Sequence, residues 1–255
     1  MEGFTLKDYV AQEAIALEAN LTLGGNFKVF AETGIAMFAS TITSAGRSHL
    51  LFMANYSLVR KALIQAMLSA LRQHRVQMNG NLRQAIEGAT SMAYLIAHPS
   101  PDFLMVEQLA PNAGDKLNEK SRKWLNEKYP DRSAVIKELK NDINATDGHS
   151  NITNSAATFD FESINQPRSI NRYLDRDDTE VLEVNLWTVG HFAVHLMSLV
   201  AQSAADHEGI NIAEDIDERI AWMSQRNDEL SDEMAARPRW KGIFGNAAED
   251  HPSDK

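Results

Sequence analysis

An all-α fold, a multi-helix bundle of about six to eight helices with a long irregular loop before the penultimate helix, is what this sequence predicts. Three observations carry that reading. Apolar residues recur every three or four positions between Ser48 and Met197. Two adjoining arms between Ser48 and His98 keep that spacing and contain no proline. The alternation typical of a strand surfaces only in the short run Ala157–Glu162, so strands are expected to contribute almost nothing.

Thr5 followed by Asp8 has the form of a capping box, with Asp in the usual Glu place. Leu6, Val10, Ala14, Leu17 and Leu21 then mark a first helix that Gly24-Gly25 ends. A second helix is expected from about Phe27 to Ala45, with Phe27, Phe30, Gly34, Phe38 and Ile42 on its buried side and Gly46 as its C-cap.

The stretch from Ser48 to Pro99 organises the rest. Its first arm, capped by Ser48, carries Leu51, Ala54, Leu58, Ala62, Ala66 and Ala70 on one face, widened by Phe52, Val59, Leu63, Met67 and Leu71. Unbroken over roughly thirty residues, it would be a rod about 45 Å long. Asn79-Gly80-Asn81 reads as the turn, because these residues tolerate positive φ. The second arm buries Leu82, Ala85, Ile86, Ala89, Met92, Ala93 and Ile96. Gly88 costs about 1 kcal/mol relative to alanine in a helix interior, which points to a close packing contact. Arg83 and Glu87, four apart, are placed to pair on the outer face.

Ser100-Pro101-Asp102 is a start signal for a short helix that stops at Pro111. Asp115 opens a highly charged helix anchored by Leu117, Trp124 and Leu125. After Pro130 a further helix uses Val135, Ile136, Leu139 and Ile143. From Asn144 to Asp178 helical periodicity fades, and a loop of that length inside a domain is usually functional or disordered. Asp177-Asp178-Thr179 caps a strong helix to about Asp206, built on Leu182, Leu186, Val189, Ala193, Leu196, Val200 and Ala204. A last helix, about Ala213 to Ala236, places Ile216, Ile220, Met223 and Leu230 on an acidic rod. Residues 1–236 are read as one helical domain and 237–255 as a mobile tail.

The chain has 255 residues and a formal net charge of −10, so it is an acidic protein, a balance that opposes broad nonspecific grip on nucleic acid or anionic lipid. With no cysteine, disulfides, thiolate nucleophiles and thiolate metal sites are excluded. The N-terminus lacks the basic start and apolar run of a signal peptide, and the most apolar stretch, Leu186–Ala201, is interrupted by Thr188, His191, His195 and Ser198. A cytoplasmic location, no membrane and no cofactor are therefore expected.

Three groups of residues are candidates for function. Asn185, Thr188, His191, His195, Ser198 and Gln202 recur at three- and four-residue steps, forming a neutral polar line on an otherwise apolar helix. Such a line suits a half-buried groove or a helix contact. His191 and His195, at i and i+4, are also spaced to hold a metal, although the Glu of a zinc-protease helix is missing between them. A second group is His149 with Asp142, Asp147 and Ser150, in a loop where histidine suits proton transfer. An Asx-rich turn that caps its own backbone explains the same residues. The third is basic: Arg72, His74, Arg75 and Arg83, and separately Lys116, Lys120, Arg122, Lys123 and Lys128. Either set has the charge to touch phosphate. The Gly-rich phosphate loops, the GxSxG elbow and the paired ExxH of di-iron bundles are absent.

The order of Arg83–Glu87, Tyr94-Leu95, the polar segment with His149-Ser150 and a long apolar helix resembles helical-bundle proteins related to the HEPN superfamily. Proteins of that group occur among bacterial stress and phage-defence systems. The resemblance covers about Ser48 to Ala205 and implies an all-α bundle that often dimerises, with RNA cleavage in active members. The active motif has an Arg followed after four to six residues by His, and no Arg–His pair here has that spacing, so no catalytic residue carries over. Two functions stand side by side. The leading one is a non-enzymatic binding or interaction protein, partnered by itself or by another protein, through the helix around Gly88 or the late polar line. The alternative is a hydrolytic enzyme acting on RNA or a phosphoester through His149 or the His191/His195 pair.

Overall fold

Thr5 closes the start of the first helix as its spacing suggests. Its hydroxyl accepts from the Asp8 amide, and the Asp8 carboxylate accepts from the Thr5 backbone N–H at 2.7 Å. In this computed structural model residues 5–99, 113–147, 174–175 and 178–241 are described. Among them eight α-helices account for nearly all regular structure: α1 (Leu6–Leu21), α2 (Gly25–Ala39), α3 (Leu50–Leu71), α4 (Arg75–Ala97), α5 (Ala113–Lys128), α6 (Pro130–Asp147), α7 (Thr179–Ala205) and α8 (Ile216–Ala235). The fold is the all-α bundle that the periodicity predicts. The expected helix after Pro101 and most of the 144–178 loop lie outside the described residues, although α6 itself continues to Asp147.

Two helix pairs form the centre. α3 and α4 pack as a hairpin, and Val59, Ala62, Leu63 and Ala66 of the first and Leu82, Ala85, Ile86, Ala89 and Ala93 of the second are all buried in the core. Gly88 permits this approach, since a Cβ there would stand 2.8 Å from Val59 Cγ2. Its small surface is thus used within the chain and is not available for self-association. α2 and α7 form the second pair and run parallel: Gly24 meets Leu186, and further along Gly34 meets Ala193. α5 and α6 lie against α4, and α8 lies against α7 and α2. By length and composition α7 could cross a membrane, but 72% of its apolar window is buried inside the bundle, as befits a core helix.

Four sequence expectations are corrected. First, the turn between the long arms is at Arg72–His74, and Asn79-Gly80-Asn81 lies inside α4. The turn is imposed from outside: Gln73 takes a φ of 60°, Asp175 donates its N–H to Gln73 O and accepts from the Arg75 amide at 2.6 Å, and Asn20 Nδ2 donates to Leu71 O. Asn79 is buried, and Asn81 Nδ2 donates to Ser69 Oγ, so the turn-formers are held as helix by packing. Second, the buried face of α3 is the Phe52–Val59–Leu63 face, while Ala54 and Leu58 lie at its edge, Leu58 being 37% exposed.

Third, α2 stops at Ala39, and Ile42–Ala45 forms β1, paired antiparallel with β2 (Ile210–Ile212). β-branched Thr41, Ile42 and Thr43 favour this extended path. Thr41 O accepts from Ala213, and Gly46 N–H donates to Gly209 O, closing both ends. That ladder also delays the last helix to Ile216. Fourth, Leu6, Val10 and Leu21 of α1 face outward, and Asn20 is the buried residue of that helix. Beyond α8, Arg237 pairs with Glu183 and Glu233 and covers the Phe27 ring at 5.2 Å, so the folded part extends past residue 236. Residues 242–255, the rest of the expected tail, lie outside the described residues.

Candidate functional site

Asp178 starts α7, accepting from the Val181 amide at 3.0 Å, and so sets the rotation of the polar line along that helix. The line divides by position. Asn185 and Ser198 are buried, and Ser198 donates back to Val194 O, as Thr188 does to Val184 O. These hydroxyls satisfy themselves on their own helix and recruit no partner. Gln202, at the exposed end, accepts from Arg132 Nε of α6 at 2.8 Å.

The two histidines are half-buried between α6 and α8. His191 Nδ1 lies 3.0 Å from Asn227 Oδ1, an acceptor, so the proton is on Nδ1 and Nε2 keeps its lone pair. The ring stacks on Trp187 at 4.7 Å and meets the His195 ring edge-on at 4.5 Å. Burial pushes the His191 imidazole below its ordinary value, although the Asn227 bond and the charges of Glu138 and Asp228 act the other way. His195 is pushed down to about 4, by burial first and then by His191 and Arg132. Both rings are therefore neutral near pH 7. Among the described residues no three His, Asp or Glu side chains converge, so the pair has no third metal ligand there.

Refusing a proton makes the folded state sensitive to acid. An unfolded histidine titrates near 6.5, so between that value and about 4 the unfolded chain binds a proton that folded His195 refuses. Stability is therefore full above pH 6.5 and falls as the pH drops towards 4, by on the order of 2 kcal/mol after allowing for the part of the ring that water reaches. Urea unfolding at pH 7 and pH 4.5 should show a smaller loss in His195→Gln than in the wild type. Equal losses would mean that the ring titrates normally.

His149 and Ser150 lie outside the described residues, as does the side chain of Asp147, the last residue of α6. The basic residues grouped by sequence do not form one patch. Arg72 caps the end of α3 and Arg75 opens α4, whereas Arg83, about 12 Å along the helix from Arg75, turns to Asn144 and Glu87 beside α6. His74 pairs with Glu13 at 3.0 Å and fastens α1 to the turn. From the second basic group, Arg122 lines a small open cleft of about 50 Å³ with Glu87, Thr90, Asn118 and Lys140.

Sequence reasoning missed the residues that complete these groups, because Asn227, Arg132 and Lys140 come from other helices. It also missed an aromatic cluster. His98 stacks on Tyr94 at 4.2 Å, Trp124 stands edge-on to both, and Tyr129 packs against Trp124 while donating to Asp206 Oδ2 at 2.7 Å. Burial and Asp206 hold the Tyr129 hydroxyl protonated well above its usual range. The cluster joins the ends of α4, α5 and α7, and no spacing in the sequence announces it. No family model, curated protein or solved structure matches the chain.

Proposed function

We propose that this chain is a non-enzymatic helical-bundle binding protein that works as a homodimer, paired through the outward stripe of α1. The observation behind this reading is the mismatch between the face of α1 that is apolar and the face that the bundle covers. Exposed Leu6, Val10 and Leu21, with Leu17 half-buried against the core between them, fall within about 60° of arc. The face turned to the bundle carries Tyr9, Gln12, Glu13, Ala16 and Asn20, about a quarter turn away. Leu6 is 78% and Val10 59% exposed. Water-facing leucine and valine at regular helical spacing mark a contact surface.

The stripe favours a second copy as the occupant. Its spacing reads the same in both directions: four residues from Leu6 to Val10, seven to Leu17, four to Leu21. In an antiparallel two-fold contact Leu6 meets the partner's Leu21 and Val10 meets the partner's Leu17, the self-complementarity that an isologous interface needs. The fastening of α1 at Glu13 and Asn20 leaves its first turns clear for such a contact. The HEPN-related resemblance suggests the setting, bacterial stress or phage defence, and dimerisation is common in that group. Neutral, packed histidines at His191 and His195 suit a polar seam between helices better than hydrolysis.

Sedimentation equilibrium of the full chain at micromolar concentration tests this. The wild type should be a dimer, and Val10→Glu with Leu21→Glu should make it a monomer of unchanged helical content. A monomeric wild type would overturn the proposal.

A further inference from the structure

The cleft between α4, α5 and α6 has an unbalanced charge. Lys140 of α6 places its ammonium 3.9 Å from Glu87 Oε1, and Arg83 of α4 places Nε 3.6 Å from the same oxygen. Arg122 of α5 lines the cleft with Lys140 and Glu87. Two lining cations against one lining carboxylate leave a positive charge over, and Arg83 adds its own charge beside Glu87. Neither contact to Glu87 reaches the roughly 2.7–2.9 Å of a charge-assisted hydrogen bond, so the shared oxygen satisfies neither cation fully.

The remaining groups are donors. Arg122 spends Nε on Asn118 O at 3.1 Å, which steadies the guanidinium and keeps its two terminal nitrogens for another acceptor. Asn118 Oδ1 accepts from Ser91 Oγ at 3.4 Å, which leaves the Asn118 amide NH₂ to donate. Thr90 gives its hydroxyl proton to Ile86 O and forms part of the wall. Lys140 is half-buried, and burial together with Arg122 and Arg83 pushes its ammonium below the ordinary lysine value, against the pull of Glu87. A buried cation among like charges is stabilised by a mobile counter-anion.

We propose that this cleft binds a phosphate dianion, free or as the end of a phosphomonoester, held by Arg122, Lys140 and the Asn118 amide. A phosphate answers the positive surplus of the cleft, and the terminal nitrogens of an arginine grip two phosphate oxygens at once. Glu87 competes with the ligand for Lys140, so its removal should strengthen binding rather than weaken it. The site is independent of the α1 contact and stands or falls apart from it.

Inorganic phosphate titrated into the full chain at constant ionic strength, with chloride as the balancing salt, tests the proposal by amide and side-chain NMR shifts. The expected result is saturable binding, weakened about tenfold or more by Arg122→Gln and by Lys140→Gln and strengthened severalfold by Glu87→Gln, while Arg72→Gln has no effect. Phosphate should also raise the titration midpoint of the Lys140 ammonium. A parallel titration with a nucleoside 5′-monophosphate separates the sources: tighter binding than phosphate assigns the site to an ester, equal binding to the free ion. Shifts that follow ionic strength alone, or a Glu87→Gln variant that binds more weakly, would overturn it. Circular dichroism of each variant checks that the bundle is intact.

Discussion

Ile86→Ala is expected to cost about 2–5 kcal/mol of stability, enough to lower the urea midpoint sharply while leaving the slope of the transition unchanged. Ile86 is fully buried in the middle of α4, which packs against α3, α5, α6 and α7. Its neighbours along α4, Leu82, Ala85 and Ala89, are buried to the same degree, and Leu63 of α3 is too. Truncation removes buried methyl and methylene groups and leaves a hole that a close-packed interior closes only in part. Leu63→Ala should fall in the same range. A loss under about 0.5 kcal/mol at either position is the behaviour of a surface residue and would contradict the packing described.

Gly190→Ala should be damaging for the opposite reason. A Cβ at that position would stand 2.4 and 2.5 Å from two carbons of the Phe30 ring. Phe30 is buried, and its ring lies directly over Gly190 where α2 packs on α7. The ring has no free space to swing into, so the helices must separate or the ring must leave its rotamer, at about 3 kcal/mol. Alanine's better helix propensity offsets at most about 1 kcal/mol of that. Thermal unfolding of Gly190→Ala beside Gly80→Ala makes the comparison direct, since a Cβ at Gly80 meets nothing within 4 Å. Gly80→Ala should be neutral or stabilising. Equal behaviour of the two would mean that α2 and α7 do not touch there.

How far the sequence disclosed these features depends on whether their causes are local. The start of α7 was legible because Asp178 caps its own helix, and the Thr5–Asp8 box because both partners lie within one turn. The α3–α4 turn was misplaced because its causes are distant. Asn20, Glu13 and Asp175 hold Arg72–His74 bent, while packing overrides the turn preference of Asn79-Gly80-Asn81. Periodicity marked the apolar stripe of α1 correctly but carried no information on what covers it. The phosphate cleft was hidden for a similar reason: Arg83, Arg122 and Lys140 come from three helices, and nearness along the chain had grouped Arg83 with Arg72 and Arg75. The histidine seam was half legible, since the i, i+4 spacing of His191 and His195 is local whereas Asn227 and Arg132 are supplied by α8 and α6.

Because the chain contains no cysteine, a single introduced thiol reports one position cleanly. In the antiparallel contact proposed for α1, Ala14 sits next to the two-fold axis, and Val10 is offset by about 10 Å along the helix axes from its own copy in the partner. Mild oxidation of Ala14→Cys should therefore give a covalent dimer in high yield, and Val10→Cys should not. Failure of Ala14→Cys to cross-link, or equal cross-linking at both positions, would contradict the central claim that this helix joins two copies of the bundle antiparallel about a two-fold axis.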